Sequence, residues 1–297
     1  MNQVDLSTPG WHDYEFLDSG DNKKLERYGK FVIIRPETQA IWKPQRSELW
    51  KKADAEFRFE GSKGSWRGRN APEPWNIAWN DNARFSLRLT SFKHTGVFPE
   101  QAPNWEWIAE RVKQLKKSTL TAQPPKVLNL FGYTGVASIV AAQNGAQVTH
   151  CDASKQSNAW ARENATFSNV AEDGIRYITD DALKFVEREL RRGAAYDGII
   201  LDPPAFGRGA NGEVWHIEDD IITMLDGLRK LLAKKPGAFF LLNGYAAGYA
   251  PQSFLQSVES SFPEAKTAAN GEFGELRIRE SAGDRVIPAG IYVRFVL

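Results

Sequence analysis

The sequence predicts an α/β protein: a doubly wound, mainly parallel sheet with an antiparallel terminal strand, preceded by a small β-rich domain. Three observations carry this expectation. From residue 124 onward, apolar runs alternate with helical stretches, the pattern of successive βαβ units. The last two apolar runs have no helix between them and read as a terminal hairpin. Eight of the ten tryptophans fall within the first 107 residues, where β-type runs are separated by Gly, Pro and Asn clusters. A chain of 297 residues has room for two domains. The change in composition sets them at 1–110, a Trp-rich β domain suited to substrate recognition, and 111–297.

In chain order, strands are expected at 30–35, 56–59, 75–79 and 85–90, and a first long helix at 104–115. The second domain reads as strands at 126–130, 147–151, 175–178, 196–201 and 238–242, with helices at 136–143, 154–167, 182–191, 217–232 and 252–260. The hairpin strands are 275–279 and 291–296. No apolar run approaches the roughly 18–20 residues of a spanning helix, and the polar N-terminus lacks a signal-peptide pattern. A cytoplasmic location is the default. Lys+Arg 38 against Asp+Glu 37 leave a net charge of +1, so any nucleic-acid contact has to be a local patch. A single cysteine, Cys151, excludes an internal disulfide, and His12, His94, His150 and His216 lack metal-ligand spacing. No metal is expected.

Chemistry-bearing residues gather at the ends of the expected strands. In Leu128-Asn129-Leu130-Phe131-Gly132-Tyr133-Thr134-Gly135-Val136, a strand turns into a helix. Gly132 and Gly135 permit positive φ and close backbone approach, which a nucleotide-like ligand at a helix N-terminus requires and which a tight turn also uses for structure alone. Asp152 ends the next strand 20 residues after Gly132, the separation of a ribose-binding acid. Asp180 and Asp181 close the third strand; Asp180 suits a helix N-cap, and Asp181 can accept from an exocyclic amine. Asp202-Pro203-Pro204-Ala205-Phe206 follows a buried strand, and the two prolines fix a rigid loop with free carbonyls.

Through these motifs the chain from about residue 92 onward resembles the class I S-adenosylmethionine-dependent methyltransferases. Within them it is similar to the bacterial large-subunit ribosomal RNA methyltransferase group, which includes cytosine-5 enzymes. That group carries Lys-Thr-Gly-x-Phe-x-(Asp/Glu)-Gln ahead of the first glycine-loop strand. Here Lys93-His94-Thr95-Gly96-Val97-Phe98-Pro99-Glu100-Gln101 has His94 inserted, which displaces Lys93 by one position. The resemblance implies S-adenosylmethionine as cofactor. Thr95, Gly96 and Gln101 would close over it, with Asn129 and the Phe131-Gly132-Tyr133-Thr134-Gly135 turn at its methionine part. Asp152, Ala153 and Ser154 would hold the ribose, Asp181 and Ala182 the adenine, and Asp202 and Pro203 would line the methyl-transfer site. RNA, ribosomal RNA first, is the implied substrate.

Two departures redirect the chemistry. The group's cytosine-5 members place a nucleophilic cysteine after the fifth strand, where this chain reads Leu242-Asn243-Gly244-Tyr245; Cys151 reads as a core residue. That points away from carbon 5 and toward a heteroatom. Amino-methylating enzymes follow Asp/Asn-Pro-Pro directly with an aromatic residue, whereas Phe206 comes one residue late, leaving base stacking or simple packing as its roles. Residues 207–216 read as a mobile Gly-rich loop from which Arg208 and His216 touch substrate, or as a solvated one. The stretch 61–69, with Lys63, Trp66, Arg67, Arg69 and no acid, offers phosphate and base contacts, or is likewise a solvated loop. The expectation is methyl transfer to a nucleobase nitrogen of RNA. The alternatives are a protein or small-molecule acceptor, a non-catalytic RNA-binding assembly factor, and an NAD-dependent oxidoreductase, whose Gly-x-Gly-x-x-Gly spacing is absent.

Overall fold

The computed structural model describes residues 1–297 apart from 9, 62, 69, 71–72, 119–122, 210–211, 246–247, 269 and 282. The chain divides into two compact units: an N-terminal unit of Ser7–Ala102 with Arg277–Pro288, and a sheet unit of Met1–Leu6, Pro103–Leu276 and Ala289–Leu297. The single cut expected near residue 110 thus lies at 102, and a piece of the terminal hairpin belongs to the N-terminal unit.

After two short strands, β1 (Asn2–Gln3) and β2 (Leu6–Thr8), the N-terminal unit forms a five-stranded sheet. Its strands are β3 (Tyr14–Gly20), β4 (Lys23–Tyr28), β5 (Phe31–Pro36), β6 (Ala55–Glu60) and β7 (Lys63–Arg67), in that order. The short helix α1 (Ser47–Trp50) allows β5 and β6 to pair in parallel, while β8 (Trp75–Ala78) and β9 (Arg84–Leu87) form a separate antiparallel pair. β3, β4 and β7 lie outside the expected strands. β4 reads Lys-Lys-Leu-Glu-Arg-Tyr, too charged for an apolar alternation, yet Lys24 and Glu26 are buried within it.

The sheet unit continues with α2 (Ala102–Ser118), β10 (Lys126–Leu130), α3 (Val136–Gln143), β11 (Gln147–Asp152), α4 (Lys155–Phe167), β12 (Ile175–Thr179), α5 (Ala182–Arg191) and β13 (Gly198–Leu201). Then come β14 (Phe206–Arg208), β15 (Val214–His216), α6 (Ile217–Leu231), β16 (Phe239–Gly244), α7 (Pro251–Ser261), β17 (Glu272–Arg279) and β18 (Val286–Val296). The large sheet runs β12-β11-β10-β13-β16-β18-β17-β1. Its strands are parallel from β12 to β16, and β18 is antiparallel to β16, as the sequence predicts. Among the described residues, no helix is long and apolar enough to cross a membrane.

Alternate residues of the central strands face opposite layers. Leu128, Leu130, Ile199, Leu201, Phe240 and Leu242 share a core with Phe185 of α5, Met224 and Leu228 of α6, and Phe254 and Val258 of α7. α5 shows the local causes clearly: Asp181 caps its start, Phe185 and Val186 face inward, and Arg188 and Arg191 complement the dipole at its end.

Chain order reverses direction between β10 and β13, and in open α/β sheets ligands bind outside the carboxyl ends of the strands at such a switch point. Leu130 lies opposite both Cys151 and Leu201, and Leu201 opposite Leu242. The next residues, Asp152, Phe131, Asp202 and Asn243, therefore stand side by side along one edge, on strands about 4.8 Å apart.

Candidate active site

The turn from β10 into α3 has φ of 55° at Phe131, 49° at Tyr133 and 84° at Gly135. Gly132 N donates to Cys151 O of β11 at 3.2 Å, and the turn closes on itself where Gly135 N donates to Gly132 O at 2.9 Å. Gly132 is not a left-handed position, contrary to expectation. A Cβ there would lie 2.3 Å from Cε1 of His150, so glycine serves close approach. Gly135 combines its φ with a Cβ position 2.9 Å from Cβ of Ala161. Left-handed non-glycine residues cost about 1–3 kcal/mol each, so two in one turn require a surrounding structure that holds them.

Asp152 is a large part of that structure. Its Oδ2 accepts from Tyr133 N at 2.9 Å and its Oδ1 from Ser154 N at 2.8 Å. Burial raises the Asp152 pKa, with the Ser154 and Tyr133 amides acting against the rise. Thr134 is buried, its carbonyl accepting from Asn164 at 2.9 Å. Half-buried Ala153 precedes Ser154, whose hydroxyl caps α4 by accepting from Ser157 N at 3.1 Å. Asn158 is a residue the sequence reading missed. Its Nδ2 lies 3.0 Å from Asp152 O, 3.1 Å from Ile178 O and 2.9 Å from Thr179 Oγ1, tying the ends of β11 and β12 together. The signal was a polar residue on the face of α4 that also carries Trp160, Ala161 and Ala165.

Further corrections follow from the geometry. The cap of α5 is Asp181, not Asp180: its backbone is extended directly before the first helical residue, and Oδ1 accepts from Lys184 N at 3.0 Å. Asp180 pairs with Arg188, and Ala182 is buried. Asn129 does not reach the edge. Its Nδ2 donates to Ser138 Oγ at 2.9 Å, which is bonded in turn to His150 Nδ1 at 2.9 Å, a buried relay beneath the turn.

At the end of β13, Asp202 N approaches Leu130 O at 3.4 Å and Pro203 is buried. The Pro204 carbonyl is not free, because it accepts from the Trp215 indole at 2.7 Å. Phe206–Arg208 and Val214–His216, expected in a loop, pair as antiparallel strands, with Phe206 opposite His216 and Arg208 opposite Val214; residues 210–211 lie outside the described residues. Phe206 is 49% exposed, its ring 5.0 Å from that of His216 and 5.8 Å from the Arg208 guanidinium, so core packing is not its role.

Thr95, Gly96 and Gln101 belong to the N-terminal unit. Thr95 is buried, Gly96 has φ of 109°, and Gln101 ends a 3₁₀ turn, Pro99–Gln101. The basic stretch loses most of its expected character. Trp66 is buried against Phe57 at 5.3 Å and donates to Thr90 O at 2.9 Å, so it cannot stack on a base. Arg67 pairs with Glu60 of the neighbouring strand, an acid the linear stretch did not show. Lys63 is exposed, and Arg69 lies outside the described residues.

A glycine-cradled turn, three acids at strand ends and a switch-point edge suit an adenosyl ligand with a cationic centre. A family model described as S-adenosylmethionine-dependent methyltransferase matches residues 49–265. The chain belongs to this family. This methyltransferase is 41% identical to the SAM-dependent methyltransferase from Agrobacterium tumefaciens, whose crystal structure matches it with a TM-score of 0.90 over 99% of this chain and 93% of that one. A structure described as a SAM-dependent methyltransferase from Streptococcus mutans, 17% identical, shares the fold with a TM-score of 0.73 over 97% of this chain and 76% of that one. Ribosomal RNA large subunit methyltransferase K/L of Shewanella sp. (strain MR-4) is 32% identical over 154 residues, which are 51% of this chain and 20% of the relative. The chain thus spans about a fifth of the length of such curated relatives. Family membership makes S-adenosylmethionine the methyl donor and sets aside the oxidoreductase alternative.

Proposed function

We propose that this methyltransferase modifies a nucleobase nitrogen of ribosomal RNA. The observation that carries the reading is Phe206, a half-exposed ring four residues beyond Asp202, on the hairpin leaving the carboxyl end of β13. In this reading the Phe131–Gly135 turn, with 131 and 135 as its bounds, holds the methionine part of the donor. Each oxygen of Asp152 keeps a second lone pair for a ribose hydroxyl, with Ala153 and Ser154 beside it. Asp181 and Ala182 serve the adenine. Bound S-adenosylmethionine supplies an electrophilic methyl group. Asp202 and the Pro203 carbonyl accept hydrogen bonds from an exocyclic amine and aim its lone pair, while Phe206 stacks on the base.

Nitrogen is favoured over carbon 5 because no cysteine stands at the end of β16: Asn243 is buried there and accepts from Asn104 at 2.8 Å. Burial, together with Asp152, pushes the Cys151 thiol up to about 12, far from the thiolate that attack on a ring carbon needs. Ribosomal RNA is supported by the names of the curated relatives. Of the basic residues expected to meet phosphate, Lys63 and Arg208 are exposed, and Arg67 is exposed but paired with Glu60.

The test is nucleoside mass spectrometry of ribosomal RNA from cells with and without the active protein. One methylated nucleoside should disappear and return with wild type or Cys151→Ser. Asp202→Ala should lower turnover on that RNA roughly 100-fold while changing donor affinity far less, because it displaces the acceptor. If no nucleoside is lost, the acceptor is a protein or a small molecule.

A further inference from the structure

We propose that Trp215 is a positioning residue that locks the acceptor loop to the donor turn; this rests on reading Asp202 and Pro203 as the acceptor site. Trp215 is 4% exposed and stands on β15 opposite Gly207. Its indole N–H donates to Pro204 O at 2.7 Å, and its ring lies 5.0 Å from the ring of Phe131. One side chain therefore touches both the loop that follows β13 and the left-handed turn that follows β10.

The backbone explains why this contact matters. Proline fixes φ at 203 and 204, so the free rotations of the loop are the two ψ angles. Asp202 N, near Leu130 O at 3.4 Å, anchors the start of the loop, and the indole bond fixes the peptide plane after Pro204. Ile217 N donates to Ala205 O at 3.1 Å, closing the base of the hairpin from the other strand. At the far end, Lys184 Nζ lies 2.7 Å from Glu213 Oε1, and Lys184 is the residue whose amide Asp181 caps. The hairpin is thus held at both ends by elements that carry proposed donor-site residues. The Pro203 carbonyl and the Asp202 carboxylate inherit that fixation, and a misplacement of about 1 Å at such groups costs roughly 100-fold in rate.

The test uses the full chain and three readouts: calorimetric affinity for S-adenosylhomocysteine, steady-state methyl transfer to ribosomal RNA from cells lacking the active protein, and amide exchange over 205–217. Trp215→Phe keeps a ring against Phe131 and removes the N–H donor. It should leave S-adenosylhomocysteine affinity within about 2-fold, lower kcat roughly 5- to 10-fold with little change in KM, and speed exchange roughly 5-fold, the size of one lost hydrogen bond. Trp215→Ala should lose affinity as well, because the Phe131 contact goes too. The proposal is overturned if Trp215→Phe matches wild type in turnover and exchange, or if affinity and turnover fall together, which indicates mere support of the fold. Asp202→Ala separates the two readings. Full turnover in that variant removes the acceptor-site assignment, and the exchange result, which needs no acceptor, still decides the role of Trp215.

Discussion

In the sheet unit the proposed donor- and acceptor-site acids, Asp152, Asp181 and Asp202, stand at the carboxyl ends of β11, β12 and β13. In the N-terminal unit the buried charges stand on interior strands of the sheet. Arg35 of β5 donates through Nε and Nη2 to the two carboxylate oxygens of Glu26 on β4, at 2.7 and 2.8 Å. Tyr14 and Tyr28 donate to the same carboxylate at 3.1 Å, and Lys24 lies 3.4 Å from Glu37. Burial alone would raise the Glu26 pKa and lower that of Arg35. Their mutual attraction and hydrogen bonds, with Lys24 and the tyrosines adding to them, together outweigh it, so Glu26 ends lowered and Arg35 raised. Charges at a strand end leave room for a ligand to supply the partner. Charges inside a sheet have to partner one another, and their role is to hold the fold.

Arg35→Ala gives the strongest challenge to this contrast. Removing one member of a buried pair leaves the other uncompensated, which costs about 3–5 kcal/mol. Urea unfolding followed by tryptophan fluorescence should register that loss, and the double change Glu26→Leu with Arg35→Met should recover most of it. A loss below about 1 kcal/mol for Arg35→Ala would show that the central charges do not hold the sheet.

His150 sharpens the comparison, as a polar group of the sheet unit that is buried away from the edge. Burial, and then Arg162, lower its pKa to about 4 from the ordinary 6.5. Below pH 6.5 the unfolded chain takes up a proton that the native chain refuses until about pH 4. Its contribution is therefore present in full above pH 6.5 and lost as pH falls toward 4, about 3 kcal/mol in all. Unfolding free energies measured between pH 7 and 4 should show this slope in wild type, and His150→Asn should flatten it. Equal slopes in the two proteins would mean that His150 is not buried in its neutral form.

The same contrast explains what was legible in the sequence. The bounds of β10, α3 and α5 match the reading because apolar periodicity, a glycine turn and a capping acid all point the same way there. β4 was not legible, since Lys24 and Glu26 face inward because Arg35 of β5, Glu37 just beyond it and Tyr14 of β3 meet them there. Trp66 looked available for stacking because Phe57 and the Thr90 carbonyl, which bury it, are distant in sequence. Gly132 was singled out for positive φ and close approach; it lacks the first, and the ring that comes close to it belongs to His150 on the next strand. Trp215 gave no local signal. Its partners, Phe131 and Pro204, come from two other segments brought together at the switch point.

The most direct test of the central claim, that the strand-end edge binds the donor, is calorimetric titration of S-adenosylhomocysteine into wild type and Asp152→Ala. Thermal unfolding in the same buffer establishes that the variant is folded. A hydrogen bond to a charged group is worth about 1.5–3 kcal/mol, so the account predicts affinity weakened roughly 10- to 150-fold. Unchanged affinity in a folded Asp152→Ala would contradict it, placing the donor away from the end of β11.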